Sequence, residues 1–295
     1  MNTGLLYASL AFVLWGLFPL YFHLLASVPA FEVVLHRSLW SLVFVGAVLG
    51  YLRRWHWLQL FRAQPQQLLL YACSALMLAA NWLVYVYAVQ TQQVIEASLG
   101  YFINPLFNVA LGVLVLRERL GAVKWVAVAL AAIGVVWMTW HLGRLPWIAL
   151  VLAGCFSVYG LIRKTSALGA LEGLALETLL LAPLVLPLLA WWTWSQGGVL
   201  LSADPLLIAL VLLAGPLSVL PLVLFAAGAR RLPLATLGLV QYVSPSIQLM
   251  LGLWVFGEPF DGPRLVGFVF IWTALALVSL DALRQVIKPW ALRRG

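Results

Sequence analysis

Between Asp204 and Arg230 the chain carries no charge at all. A run of that length, apolar throughout, is hard to place anywhere but in lipid or in the centre of a very large core. Nine further runs resemble it, giving ten candidate spans near 4–25, 32–51, 67–89, 95–116, 122–141, 147–163, 172–194, 206–229, 234–256 and 264–283. A spanning helix takes about 20 apolar residues, so ten helices and short loops consume nearly all of the 295. Lipid tolerates only helices or closed barrels, because every backbone polar group must be satisfied internally. A barrel would alternate apolar and polar positions, and these runs do not. A soluble domain also carries roughly 25% charged residues, against 9% here. The expected fold class is therefore an all-α integral membrane protein with ten transmembrane helices. The first run lacks the basic leader of a signal peptide and is too long for one, so it reads as the first span.

The net charge of +8 invites a nucleic-acid partner, but the basic residues gather in loops and form no stripe. Of the 17, Arg144 and Arg264 fall on one side of the ten-span layout and Arg37 inside a span. All the others fall on the opposite side. Basic loops face the cytoplasm, which places both termini there and suits a multi-pass protein of a bacterial-type inner (plasma) membrane. The lipid bilayer is then the main partner and nucleic acid is not one. Cys73 and Cys155 lie inside apolar runs and imply no disulfide framework or metal site. His23, His56 and His141 give no metal spacing either.

The stretch Tyr101–Glu118 (YFINPLFNVALGVLVLRE) is written a second time as Gln241–Glu258 (QYVSPSIQLMLGLWVFGE), in constant register. Pro105 meets Pro245, Gly112 meets Gly252 and Glu118 meets Glu258. Tyr101, Asn104 and Asn108 meet Gln241, Ser244 and Gln248, and each trio, at i, i+3 and i+7, shares one helical face. Glu32 and Glu172 stand in the same register, each at the start of a span. Trp15-Gly16-Leu17 pairs with Tyr159-Gly160-Leu161 at a slightly longer offset. Five spans per copy is odd, so the copies should lie in opposite orientations: an N-terminal repeat over 1–144 and an inverted C-terminal repeat over 145–295, ending in a short cytoplasmic tail. Inverted repeats are a transporter architecture with the substrate at their interface near the midplane.

These residues carry a resemblance. The ten-span layout and the proline-to-glutamate pattern of the fourth and ninth spans are similar to the drug/metabolite transporter superfamily. GYFINPL with its run to RERL, EVVLHRSLWS at 32–41 and NWLVYVYAV at 81–89 resemble its EamA group, in particular the RarD type, whose name comes from a link to chloramphenicol sensitivity. The resemblance spans essentially the whole chain and implies transport, with export as the expected direction; it does not specify a substrate. The first copy departs from the usual Gly-Glu pair, having Arg117-Glu118.

Pro105 and Pro245 each remove a backbone donor and free the carbonyl four residues back, at Tyr101 and Gln241. In lipid such carbonyls need protein or a water-filled cavity, so the two prolines and their polar stripes are expected to line a pathway. A packing kink is the plainer alternative. In the second span Glu32 and His36 share a face and stand with Arg37 as candidates for charge recognition or coupling; a place in the headgroup region is the plainer alternative for them. Arg37, a charge at bilayer depth, should face protein or water. Glu177 takes the place of Arg37 in the second copy, and the expectation is that the two pair across the repeats, or recognise charge on a substrate. If a proton couples transport, Glu177 is the expected carrier, because a buried carboxyl holds protons more readily. Asn81 and Tyr85 share a face of the third span, and Trp15 sits at mid-depth, away from the interfaces that tryptophans prefer. Glu118 and Glu258 fall on opposite sides of the membrane and read as helix-end or gate residues.

The resulting expectation is a secondary transporter of a small organic metabolite or drug, working by alternating access, with room for a homo-oligomer. No phosphate loop, HExxH or CxxC occurs, so the reading includes no ATP, cofactor, metal or catalytic residue. Two other classes stand beside it. A membrane enzyme acting on lipid-like substrates would need a convergent acid, base or nucleophile cluster. A non-transporting scaffold would not need polar faces repeated at a fixed offset.

Overall fold

In a computed structural model the chain is described over residues 3–59, 65–114, 121–165, 168–201, 204–229, 231 and 240–291. Ten helices of more than one turn fall within these residues: α1 Thr3–Leu24, α2 Ala30–Tyr51, α3 Pro65–Gln90, α4 Val94–Leu114, α5 Ala122–Leu142, α6 Trp147–Thr165, α7 Ala170–Gln196, α8 Pro205–Ala229, α9 Val243–Trp254 and α10 Gly262–Ala291. Short 3-10 turns lie at His56–Gln59 and Val199–Leu201, and no strand occurs among the described residues. Each helix overlaps one of the ten expected spans. Thr3–Leu24, Ala30–Tyr51, Gln67–Gln90, Leu171–Gln196 and Pro205–Phe225 are long and apolar enough to cross a bilayer outright.

The ends of the helices follow local chemistry. α5 and α7 stop at Gly143 (φ 64°) and Gly197 (φ 85°), left-handed positions where a Cβ would be strained. Asp204 Oδ1 accepts from the backbone of Leu206 and Leu207 at the start of α8, and Asp261 Oδ1 does the same for Arg264 in α10. Pro19, Pro183, Pro187, Pro216 and Pro221 lie inside α1, α7 and α8, as membrane helices allow where neighbours re-satisfy the backbone. The ninth span is discontinuous. Residues 240–241 are helical, the pattern breaks at Tyr242, and α9 begins at Val243. Pro245 thus sits in the first turn of a new helix, where its missing N–H costs nothing, and not at the middle of an unbroken one.

Two features recur in the packing. α1 packs on α8 and α9, α6 on α3 and α4, α2 on α7 and α8, and α7 on α2 and α3. α4 packs on α9 and α5 on α10. The backbones approach closely where small residues allow it: a Cβ on Gly215 of α8 would overlap the backbone of Trp40 and Ser41 in α2, the usual means of close helix contact in lipid. Outward, the molecule presents Leu, Val and Trp side chains, among them Trp140, Leu69, Leu206 and Trp254. A surface so rich in large apolar groups marks contact with lipid, and the chain is a multi-pass membrane protein.

Candidate functional site

A cavity of about 60 Å³ opens where α1, α3, α4, α6, α8 and α9 converge. Phe12, Trp15 and Phe18 of α1 form one wall, and Leu78, Asn81, Trp82 and Tyr85 of α3 another. Tyr101, Phe156 and Leu222 come from α4, α6 and α8, and Gln241, Ser244, Pro245 and Gln248 from the broken ninth span. Eight residues singled out in the sequence therefore meet here: Trp15, Asn81, Tyr85, Tyr101, Gln241, Ser244, Pro245 and Gln248. The aromatic walls are packed edge to face, with Trp82 perpendicular to Tyr85 and Trp15 tilted on Phe12 and Phe225. The volume is far below the roughly 300 Å³ at which small-molecule pockets begin, so an organic solute needs these walls to part.

Polar groups in the cavity are only partly spent. Asn81 Nδ2 donates to the Leu152 carbonyl at 3.0 Å and its Oδ1 accepts from Tyr101 Oη at 3.4 Å. Gln248 Nε2 donates to the Trp15 carbonyl at 3.2 Å and to Ser244 Oγ at 3.3 Å. The Tyr85 hydroxyl and Gln248 Oε1 are buried with no partner. Native structures rarely leave such groups unsatisfied, and here one donor-acceptor hydroxyl and one amide acceptor remain for a guest.

Asn104 does not join them. It is fully buried, its Nδ2 donates to the Ala153 carbonyl at 3.4 Å, and its own carbonyl accepts from Ser157 Oγ at 3.2 Å. It ties α4 to α6. Pro105 and Asn108 fall within α4, but their side chains lie outside the described residues, and Glu118 lies outside them altogether.

The expected Arg37–Glu177 pair is not formed. Glu177, 1% exposed, accepts from Ser74 Oγ at 2.6 Å and stands 3.7 Å from Arg163 Nη1. Arg163 comes from the end of α6, close in space to the start of α7, whereas Arg37 descends from the opposite end of α2. Gly173 lets the Arg163 guanidinium cross α7, since any Cβ there would overlap it. Arg37, 4% exposed, lies over the Trp82 ring at 4.4 Å from its centroid. Tyr159 is within electrostatic reach of Arg37, Arg163 and Glu177 alike. Glu32 and His36 are buried, 3.7 Å apart. Glu32 accepts from the Val199 backbone at 2.5 Å and from Trp192 Nε1 at 3.0 Å.

Glu258 reaches across to another helix: its carboxylate accepts from the backbone N–H of Val94 at 2.6 Å and of Ile95 at 2.9 Å, capping the start of α4. Beside it, Glu96 accepts from the Ile148 backbone at 3.1 Å and pairs with Arg144 at 3.3 Å. Trp57 flanks a span as an interfacial anchor would, yet it is buried; Trp55, Trp147, Trp191 and Trp194 are exposed as anchors would be.

Several contributors escape the sequence. Phe12, Phe18 and Phe156 carry no polar signal in a chain already rich in aromatics. Arg163 reads there only as one of the basic loop residues. The signal available for it is its place at the end of a span, directly before the span that carries Glu177.

The relatives of this multi-pass helical membrane protein point to the transporters. The EamA-like transporter family model matches residues 2–140. An uncharacterized transporter of Pseudomonas aeruginosa is 45% identical over 97% of this chain and 96% of its own length. Protein RarD of Streptomyces exfoliatus is 46% identical, covering 98% and 92%. Protein RarD of Escherichia coli is 40% identical, covering 96% and 95%. The chain belongs to the EamA-like family of the drug/metabolite transporter superfamily and is of the RarD type. A solved protein structure, 20% identical, superposes with a TM-score of 0.60 over 96% of this chain and 98% of that one, a likeness of fold.

Proposed function

We propose that this chain is a secondary transporter that moves a small organic solute across the inner membrane by alternating access, its site lying between two inverted five-helix repeats, 1–144 and 145–295. The carrying observation is the cavity itself, walled by α1, α3 and α4 from one half and α6, α8 and α9 from the other. The packing supports the inverted arrangement. Exchanging α1–α5 for α6–α10 maps the pair α1·α8 onto α6·α3, α2·α8 onto α7·α3, and α4·α6 onto α9·α1, all of which are contacts. The three pairs that map onto themselves should then be antiparallel. Glu32 at the start of α2 meets Val199 just past α7, while Arg54 just past α2 meets Glu172 at the start of α7. The start of α4 meets Glu258 beyond α9, and Gly134, late in α5, approaches Gly267, early in α10.

On this reading Trp15, Asn81, Tyr85, Tyr101, Gln241, Ser244, Pro245 and Gln248 contact the solute, with Asn104, Pro105 and Asn108 shaping α4 behind them. Arg37 recognises charge, and Glu177 is the group through which a proton couples. Glu32 and His36 hold α2 against the end of α7. Glu258 closes the outer side and Glu118 its cytoplasmic counterpart. Export, cytoplasmic termini and room for a homo-oligomer complete the proposal, which assigns no enzymatic step. Reconstitution tests it: proteoliposomes should show counterflow of at least one solute from a panel of amino acids, aromatic acids, drugs and sugars. No movement of any solute under any gradient removes the reading.

A further inference from the structure

Resting on the transporter reading, we propose that the substrate is an organic anion with a flat apolar body, its carboxylate taken by Arg37 and its ring by the aromatic walls, and that a cationic group on the substrate is not recognised. The starting point is an imbalance. The chain has nine acidic residues, and all but Glu118 are described. Glu32, Glu96, Glu172, Glu177, Asp204, Glu258 and Asp261 are each engaged as given above, Asp281 lies near the far end of α10, and none comes within 4.0 Å of Arg37. Arg37 therefore remains a buried cation with no ion-pair partner among the described residues. It rests on the π face of Trp82, and its Nε donates to nothing. Burying a charge at this depth is costly unless something compensates it.

Trp82 links that cation to the cavity, since its ring carries Arg37 and also forms part of the wall. Phe156, one helical turn before Tyr159, lines the cavity on the same side. Among the described residues the cavity lining contains no carboxylate and no other charge. Arg37 is not itself in the lining but lies behind the Trp82 ring. A substrate ammonium would find no counter-ion in the cavity and would meet the field of Arg37, whereas a carboxylate that displaces Trp82 would supply the missing charge and match the planar guanidinium fork. The walls contributed by Phe12, Trp15, Phe18, Trp82, Tyr85 and Tyr101 suit a ring. The free Tyr85 hydroxyl and Gln248 Oε1 offer one hydrogen bond each to substituents on it.

The test uses four probes of one skeleton on the purified full chain, read by quenching of tryptophan fluorescence: 3-phenylpropanoate, its neutral amide, 3-phenylpropylamine and phenylalanine. The expected result is that the anion binds about tenfold more tightly than the amide, with the amine and the zwitterion weaker than the anion. Arg37→Gln should remove that preference while leaving the amide within about twofold, and Arg37→Lys should keep part of it. Equal or tighter binding of the amide, the amine or the zwitterion overturns the proposal, as does an unchanged anion preference in Arg37→Gln. If that variant fails to fold, the wild-type series decides alone. Absence of binding by all four probes also overturns the anion assignment; the transporter reading would fail separately, only if the wider counterflow panel were also silent.

Discussion

Arg37 and Glu177 stand at equivalent places in α2 and α7, each seven residues beyond the start of its helix, yet they live in different surroundings. Glu177 is bound by Ser74 and Arg163, whereas Arg37 has the indole of Trp82, a cavity-wall residue, beneath it and no carboxylate beside it among the described residues. The helices α4 and α9 differ in the same way. Gln241, Ser244 and Gln248 of the ninth span all face the cavity, but of their counterparts Tyr101 lines it and Asn104 is spent tying α4 to α6. On the repeat reading, duplication has kept the framework nearly symmetric while the site has become lopsided. A solute in such a site is held mainly by α1 and α3 from one half and by the broken ninth span from the other.

Four experiments probe that contrast. The largest effect is expected from Glu177→Ala, which removes the buried carboxylate bonded to Ser74 and paired with Arg163 and should cost about 3–5 kcal/mol of stability. Arg37→Gln should instead leave the thermal midpoint unchanged or raised, since it removes a charge that has no counter-ion. A fluorescence-detected melting series on the two variants compares them directly, and equal losses would erase the distinction. Next, Gly215→Ala forces a Cβ into the α2 backbone and should cost about 1–3 kcal/mol. At the equivalent place in the other half, α3 already carries the buried Ala75, and Ala75→Gly should cost only about 1 kcal/mol.

Smaller again is the loss at the Glu258 clasp. Glu258→Gln keeps the shape but removes the charge that caps α4, worth about 1–2 kcal/mol. Burial pushes the Glu258 carboxyl above its ordinary value, opposed by the bonds from Ile95 and Val94 and by Arg264; Glu96 and Arg144 line the same recess. Burial in the closed clasp makes this carboxyl hold its proton more tightly than it would when open to water, so protonation favours the closed form. Opening at the Glu258 end should therefore fall as pH falls through the raised value, and Glu258→Gln should flatten that dependence. The smallest effect is expected from Asn104→Ala, about 1 kcal/mol in stability, with probe binding unchanged, whereas Gln248→Ala should alter binding.

Most of the framework was legible in the residues. Ten helices and the convergence of Trp15, Asn81, Tyr85 and Tyr101 with Gln241, Ser244 and Gln248 follow from apolar runs and from polar residues spaced along one helical face; the break before Pro245 does not, since a proline in an apolar run reads equally as a kink. Charge pairing was not legible. A constant register between two stretches says which positions are equivalent, not which are adjacent. On the repeat reading, equivalent positions away from the helix midpoints lie at different depths, which accounts for Arg37 and Glu177 missing each other. The same geometry brings helix starts against helix ends, as Glu258 does with Val94. Asn104 departs from expectation because a shared face is wider than a cavity: one part of it meets α6 and another meets the open space.

Access to the cavity from alternate sides is the claim on which the rest depends, and cross-linking with accessibility tests it most directly. In a chain with Cys73 and Cys155 replaced by serine, Ile95→Cys and Gly252→Cys would staple α4 to α9, which touch at these positions. Ser244→Cys in the cavity wall then reports access to a membrane-impermeant maleimide applied from either side. With the staple reduced, labelling is expected from both sides. With it oxidised, labelling should persist from the cytoplasmic side and vanish from the outer one. Outer-side labelling that ignores the staple would contradict alternating access in this protein.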